Sequence, residues 1–298
     1  MELSICANYV MQNSDFIPVR KLSDVAGQLK NAGFDYVDYS PDFLSEDWRE
    51  KAYRDREVLD KTAITVEQTH APFNRYCRYE DELFPVYCKR LFEASKIVGA
   101  KYVVVHADEY RVRGKYDEKE ILDYTCKYLE PYVEYASKNG LVIAIENVFE
   151  DHSTRWPMVD GKSRFTSRIE ELLAVIEYYN TSSVACCWDF GHAKCSFGKE
   201  KMADALRQVG RHVVCTHVHD NYYDKDLHVI PFEGDTNWEE NMKALKDIEY
   251  KGKFSFEFAY GGIPDVLLPF WLKYIHETGT YLTDMYDTMV CSSKKMMT

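Results

Sequence analysis

The residues best suited to chemistry are concentrated between Thr216 and Asp235, in the stretch THVHDNYYDKDLHVIPFEGD. The apolar run VVC precedes it, so its first histidine is expected at the end of a buried strand. Neutral imidazole and carboxylate together are the ligand set of a divalent metal such as manganese, cobalt or zinc. The stretch therefore predicts a metal centre, with a solvated polar loop as the alternative. Its histidines and acids are His217, His219, His228, Asp220, Asp224, Asp226, Glu233 and Asp235.

Residues of the same kinds stand at the ends of other apolar runs, in QTHAPF, VVVHAD, IAIEN, WDFGH and FSFEF. Charged groups beside apolar runs cost free energy unless they are paired or bound to a metal. A shared functional face therefore explains them better than a rim of satisfied polar side chains. These residues are His70, His106, Glu146, Asp189, His192, His217 and Glu257.

Eight short β-branched or aromatic runs alternate with amphipathic segments, which is the pattern of a single (β/α)8 TIM barrel. A doubly wound open sheet would require a glycine-rich turn after the first strand, and the sequence has none there. In a barrel, the carboxyl ends of all strands meet at one face, where active sites are built. The predicted strands are Leu3–Ala7, Tyr36–Tyr39, Ile64–Thr69, Tyr102–His106, Val142–Glu146, Val184–Asp189, Val213–His217 and Phe254–Phe258.

Helix signals support the same architecture. Apolar residues at helical spacing predict helices around 83–97 and 121–133. The segment SRIE at 167–170 has the form of a capping box that opens a further helix. Gly33, Gly99 and Gly140 fall where helices should end before a strand. No linker divides the chain, so residues 1–283 are predicted to form the barrel and residues 284–298 a polar C-terminal tail.

Composition narrows the class of protein. The 298 residues carry a net charge of −12, which disfavours nucleic acid as a partner. The nine cysteines show no CxxC spacing, so reduced thiols and a cytoplasmic location are expected. The start MELSICANYV lacks the pattern of a signal peptide, and no apolar run is long enough to span a membrane. The sequence leaves the oligomeric state open, with a homo-oligomer as one alternative.

The motifs HAPF, VVVHAD, IAIEN, WDFGHA, HVHDN and FEF, in this order, resemble those of the xylose isomerase-like TIM barrel superfamily. That superfamily includes sugar phosphate isomerases and epimerases and also endonuclease IV. The resemblance implies a metal-dependent isomerase or epimerase of a sugar, sugar phosphate or polyol, with manganese favoured over zinc, cobalt or magnesium. The metal ligands it implies are Glu146, Asp189, His217 and Glu257. His217 is preferred to His219 because the family pattern has an aspartate three residues on, here Asp220.

The resemblance also implies a mechanism, which is proton transfer next to a metal-bound carbonyl. Glu146 and Glu257 would move the proton, one on each face of the substrate, and His192 would contact a substrate oxygen. The chemistry is reasonable on physical grounds, because a metal that polarises a carbonyl makes the neighbouring carbon acidic. Two carboxylates can then act as general base and general acid. Independently of the resemblance, the long loop from Val148 to Phe165 is expected to determine the substrate, with Arg155 and Trp156 as candidate contacts. Its basic residues Arg155, Lys162 and Arg164 are candidates for binding a phosphate, with solvated surface residues as the alternative.

Three other activities stay open. An endonuclease IV-like zinc phosphodiesterase on abasic DNA would use further ligands that correspond to His70, His106, His192, Asp226 and His228. The acidic charge weighs against this reading. A related enolisation or elimination enzyme, such as an inosose dehydratase or an oxidised-glycoside lyase, would use the same metal and base. A binding subunit without catalysis is disfavoured by the acids that end strands five and eight.

Overall fold

The structure, a computed structural model, describes residues 1–13, 17–73, 82–107, 115–150, 162, 164–223, 225–258 and 263–289. The strands are β1 (Leu3–Cys6), β2 (Tyr36–Asp38), β3 (Thr65–His70), β4 (Tyr102–Val105), β5 (Val142–Glu146), β6 (Val184–Asp189), β7 (Val213–His217) and β8 (Phe254–Phe256). The helices are α1 (Ala7–Met11), α2 (Leu22–Ala32), α3 (Trp48–Thr62), α4 (Leu83–Val98), α5 (Glu118–Asn139), α6 (Ile169–Tyr179), α7 (Phe190–Phe197), α8 (Met202–Val209), α9 (Trp238–Asp247) and α10 (Leu268–Thr288).

The strands form one parallel sheet in the order β7-β6-β5-β4-β3-β2-β1-β8. The two edge strands meet through Val218, whose amide donates to Ser255 O at 2.8 Å. The amide of Glu257 donates to Val218 O at 3.0 Å. The predicted single (β/α)8 barrel is therefore confirmed, and this closure places Glu257 beside the end of β7.

The core has two layers, because successive side chains of a strand point to opposite faces. Val103 and Val105 of β4 belong to the main core between the sheet and the helices. Tyr102 and Val104 belong to a small cluster inside the barrel, together with Ala144. The described helices include none long and apolar enough to cross a membrane.

The helix ends follow the predictions in part. Gly33, Gly99 and Gly140 end α2, α4 and α5 with positive φ angles of 114°, 83° and 70°, as predicted. The predicted capping box is wrong, because α6 begins at Ile169 and its N-cap makes no side-chain hydrogen bond. Ser167 instead donates to Glu150 Oε1 at 2.8 Å, a partner 17 residues away that local spacing does not reveal.

The C-terminal helix α10 continues through part of the segment predicted to be a polar tail. It ends at Thr288, and Tyr286 is buried within the core. The Tyr286 hydroxyl donates to Tyr250 O at 2.9 Å. Residues 284–288 therefore pack as part of the barrel, because Leu282 and Tyr286 repeat at helical spacing on the buried face. Residues 290–298 lie outside the described residues.

Candidate active site

Glu146, the last residue of β5, is buried where four histidine side chains meet. His70 Nε2 and His106 Nε2 lie 3.2 Å and 3.0 Å from its Oε2. His217 Nδ1 and His192 Nδ1 each lie 3.2 Å from its Oε1. Burial raises the pKa of Glu146, but the positive potential of His217 and His106 outweighs burial and holds that pKa well below its ordinary value. Glu146 is therefore a carboxylate.

Four residues from β5, β6, β7 and the end of β8 bring their donor atoms together, and we call them the quartet. Their donor atoms all lie within 4.8 Å of one another. His217 Nδ1 is 3.4 Å from Glu257 Oε2 and 3.9 Å from Asp189 Oδ2. The quartet consists of Glu146, Asp189, His217 and Glu257. The histidine of the quartet is His217. His219 is not part of it, and its Nε2 lies 3.1 Å from Asp189 Oδ2.

The opposite edge of the His217 ring contacts a residue that the sequence reading missed. His217 Nε2 donates to Asp38 Oδ2 at 3.1 Å, and Gln68 Nε2 donates to the same oxygen at 3.1 Å. A carboxylate only accepts, so this bond keeps a hydrogen on Nε2 and directs Nδ1 at the acids. Asp38 is the charged last residue of β2, so the strand-end rule that found the other site residues would have found it too.

The charge state of His217 depends on what occupies the quartet. Burial lowers the pKa of His217, but the nearby Glu257 and Glu146 carboxylates more than offset it and raise that pKa well above its usual value. In the absence of a metal, the two carboxylates therefore favour the form of the ring that carries a hydrogen on both nitrogens. A cation that binds Nδ1 must replace the second proton, since imidazole ligates a metal only when neutral.

A second group of ligand-type residues adjoins the quartet. His192 Nε2 and His228 Nε2 lie 3.6 Å and 3.3 Å from Asp226 Oδ2. Asp189 caps α7 by accepting the His192 amide at 2.6 Å, which connects the two groups. The rings of His228 and His219 stack with centroids 3.8 Å apart. Burial raises the pKa of Asp226, but His228 and His192 outweigh it and lower that pKa well below its ordinary value.

The loop between β7 and α9 is organised around the buried carboxylate of Asp220. Its Oδ2 accepts from Trp238 Nε1 at 2.8 Å and from the Phe232 amide at 3.1 Å. The side chain of Asn221 accepts from the amide of Leu227 at 2.6 Å. Asp220 and Asn221 therefore shape the loop that carries Asp226 and His228.

Two glycines at this site leave no room for a side chain. A Cβ on Gly191 would lie 1.8 Å from His219 Cε1, so the glycine in WDFGH is required by the close approach of that ring. A Cβ on Gly234 would lie 2.2 Å from Asp220 Oδ1. Lys194 of α7 pairs with Asp235, which ties the EGD segment to the barrel.

Of the loop residues predicted to contact the substrate, some lie outside the described residues and others contact the protein itself. Arg155, Trp156 and Asp224 lie outside the described residues. Lys162 Nζ lies 3.0 Å from Glu118 Oε1. Arg164 is buried, with its guanidinium 5.3 Å from the centre of the Phe149 ring. Lys162 and Arg164 therefore contact the protein itself, which argues against the prediction that they hold a phosphate.

The donor set fits a divalent cation. Three carboxylates within 4.8 Å of one another repel each other unless a positive charge lies between them. Two buried atoms near them, His219 Nδ1 and Asp226 Oδ1, have no hydrogen-bond partner within the described residues. Mixed carboxylate and imidazole donors suit manganese, cobalt or zinc.

The chain belongs to the xylose isomerase-like TIM barrel family, whose model matches residues 26–271. An uncharacterized protein of Methanocaldococcus jannaschii is 28% identical over 206 residues, which are 67% of each chain. A solved D-tagatose 3-epimerase-like protein shares 21% identity at a TM-score of 0.69, over 95% of this chain and 99% of that one. A D-psicose 3-epimerase solved in the presence of D-fructose shares 14% identity at a TM-score of 0.73, over 96% and 99%. At these identities the two structural similarities show the fold.

Proposed function

We propose that this protein is a metal-dependent isomerase or epimerase of a sugar or sugar derivative that works by proton transfer. The observation that carries the proposal is the quartet, in which Glu146 and Glu257 come from strands three positions apart around the barrel and have oxygens within 4.8 Å. The solved sugar epimerases that share the fold support the same reading.

Each glutamate has a distinct position from which to move a proton. Glu257 lines an open cavity beside the quartet, so its carboxylate can reach a carbon-bound hydrogen of a ligand in that cavity. Glu146 ends β5, and its ligand oxygen lies within 4.8 Å of that of Glu257. A divalent cation held by the quartet would supply Lewis-acid polarisation of a carbonyl group. Two carboxylates on opposite sides of one carbon can remove a proton from one face and return it to the other.

The proposal is tested by solvent exchange during turnover. Protein loaded with Mn²⁺ is incubated in D₂O with D-fructose, D-tagatose or D-psicose, and deuterium at carbon is followed by NMR. We expect interconversion with deuterium at the reacting carbon. Glu257→Gln should abolish exchange, since the amide keeps the shape but cannot take a proton.

The matched control is Glu233→Gln, which removes an exposed carboxylate on the β7–α9 loop and should leave exchange unchanged. Metal content is measured in every sample, because Glu257 is itself a proposed ligand. Interconversion without deuterium incorporation would refute proton transfer and indicate a hydride shift. Full exchange by Glu257→Gln would refute the assigned role of that residue.

A second candidate is a phosphodiesterase with several metal ions, of the endonuclease IV type. The specific observation in its favour is that the residues named as further ligands in such an enzyme lie close to the quartet, at the same face of the barrel. These residues are His70 and His106, which contact Glu146, and the group of His192, Asp226 and His228. The net charge of −12 weighs against it, because phosphate neutralisation supplies most non-specific affinity for DNA.

Metal stoichiometry separates the two candidates. One tightly bound ion per chain supports the epimerase, and three ions support the phosphodiesterase. Incision of a duplex with one abasic site is measured in parallel, with Glu146→Gln as the control for contaminating nuclease. Robust incision that Glu146→Gln abolishes would reverse the ranking of the two candidates.

A further inference from the structure

A cavity of about 360 Å³ adjoins the quartet on the side of β1, β2 and β3. Glu257 and His70 are among the residues that line it, so a molecule that reaches the proposed proton-transfer group also meets this space. A cavity of about 150 Å³ is enough to bind benzene. The cavity therefore has room for a substituent of aryl size beside the reacting part of a substrate.

Several polar groups in the cavity wall are already bonded within the protein. Asn8 Nδ2 donates to Ser40 O at 2.9 Å, and Asn8 Oδ1 accepts the Ser40 amide at 2.7 Å. Ser40 Oγ accepts the His70 amide at 2.7 Å and lies 3.1 Å from His70 O. The Tyr39 hydroxyl donates to Asp55 Oδ2 at 2.7 Å. These bonds connect the segments that follow the first three strands, and the atoms that make them are engaged within the protein instead of facing sugar hydroxyls unpaired.

Much of the remaining wall is apolar and partly aromatic. It includes Tyr9, Met11, Phe43, Leu44 and Phe73. A polar group placed against such a surface loses its hydration without gaining partners, whereas an apolar group gains from leaving water. The wall therefore favours an apolar occupant over a second sugar ring.

The charges of the cavity are acidic. Asp38, Asp42 and Glu257 line it, and its described lining residues include neither lysine nor arginine. The Asp42 carboxylate pairs with Lys51 Nζ at 2.8 Å, in an ion pair that is already complete. A phosphate here would meet carboxylates with no free cation from the described wall to balance it.

We propose that the substrate is an uncharged sugar derivative that carries a ketone on its sugar ring and an apolar substituent, such as an aryl ketoglycoside, and that the cavity holds this substituent. The reacting carbon would lie at the quartet and the substituent against Phe43, Leu44 and Phe73. This inference rests on the proposed function, because it assumes that the quartet is where the sugar reacts. The described part of the wall also disfavours a phosphate group at this position.

The test is a comparison of three probes by isothermal titration calorimetry on the full chain loaded with Mn²⁺. The probes are 4-nitrophenyl β-D-glucopyranoside, methyl β-D-glucopyranoside and D-fructose 6-phosphate; the two glucosides lack a carbonyl group and therefore report binding alone. We expect the aryl glucoside to bind at least about tenfold more tightly than the methyl glucoside, since only the former buries a ring. The phosphate should bind most weakly. Equal binding of the two glucosides, no binding of the aryl glucoside, or tightest binding of the phosphate would each overturn the inference.

Two variants test whether the preference for the aryl glucoside arises in this cavity. Leu44→Asp adds a charge at the rim and should reduce the preference for the aryl glucoside by at least about fivefold. Leu83→Asp makes the same change at another exposed leucine, outside the cavity lining, and should leave the preference unchanged. An equal loss of preference in both variants would refute the assignment to this cavity.

The solvent-exchange assay separates failure of this inference from failure of the proposed function. Deuterium exchange of a sugar without any preference for the aryl glucoside refutes the inference and leaves the function standing. An aryl preference that Leu44→Asp removes, without deuterium exchange for any sugar, refutes the function and leaves the cavity assignment standing.

Discussion

Replacement of Asp38 by Asn tests whether the carboxylate behind His217 sets the protonation of that ring. The Asp38 side chain is 3% exposed, and its Oδ2 accepts from both His217 Nε2 and Gln68 Nε2. The amide has the same shape, and its oxygen can accept both of these bonds, but it carries no charge. His217 Nε2 would then donate to a neutral acceptor, which makes the ring a weaker base and Nδ1 a poorer metal ligand.

The expected loss of metal affinity follows from this change. Loss of an outer carboxylate behind a histidine ligand typically weakens metal binding by about 10- to 100-fold, or about 1.4–2.7 kcal/mol. Folding should change less, by about 1–2 kcal/mol, because the amide oxygen can still accept from Gln68 while charge assistance is lost. The variant should therefore fold but bind metal poorly.

The assay is titration of metal-free protein with Mn²⁺ near neutral pH, together with urea unfolding of the same samples. The matched control is Asp42→Asn, which changes another carboxylate of the cavity wall that contacts Lys51 and Ser45 instead of the ring. That control should lose stability and keep its metal affinity. A metal affinity of Asp38→Asn within about twofold of the wild type would refute the reasoning.

Three further predictions concern stability. Gly191→Ala should destabilise the fold by about 1–3 kcal/mol in urea unfolding, because its Cβ overlaps the His219 ring, and an unchanged midpoint would contradict this. Asp220→Ala should lower the free energy of unfolding by about 3 kcal/mol or more in the same assay, because it leaves Trp238 Nε1 and backbone amides without their acceptor. A decrease below about 1 kcal/mol would be evidence against this role. Burial raises the pKa of Asp42, but its hydrogen bonds more than offset this and lower the pKa to about 2 from 3.8. The stability that wild type has over Asp42→Asn should therefore be complete above about pH 4 and disappear as the pH falls towards 2, whereas a constant difference would contradict the assignment.

The sequence by itself determined the barrel and the strand ends at which the candidate site residues stand. Strands β5, β6 and β7 lie where they were predicted. An apolar run that ends at a charged or polar residue indicates both the buried strand and the position of its carboxyl end. Once the strands are parallel and closed, their carboxyl ends must meet at one face. The strand-end positions of Glu146 and Asp189 therefore followed from periodicity, without knowledge of any side-chain contact.

Only the tertiary structure decided which partners these residues have. Ser167 does not cap the helix as predicted but donates to Glu150, which is distant in the sequence. Asp38 contacts His217, which is 179 positions further along the chain. His217 and His219 are two residues apart, so strand alternation points both to the same face and gives no basis for choosing between them. The register that pairs Asp189 with His217, together with closure at Val218, places His217 Nδ1 among the acids. Register and closure depend on contacts between distant segments, which local spacing does not contain.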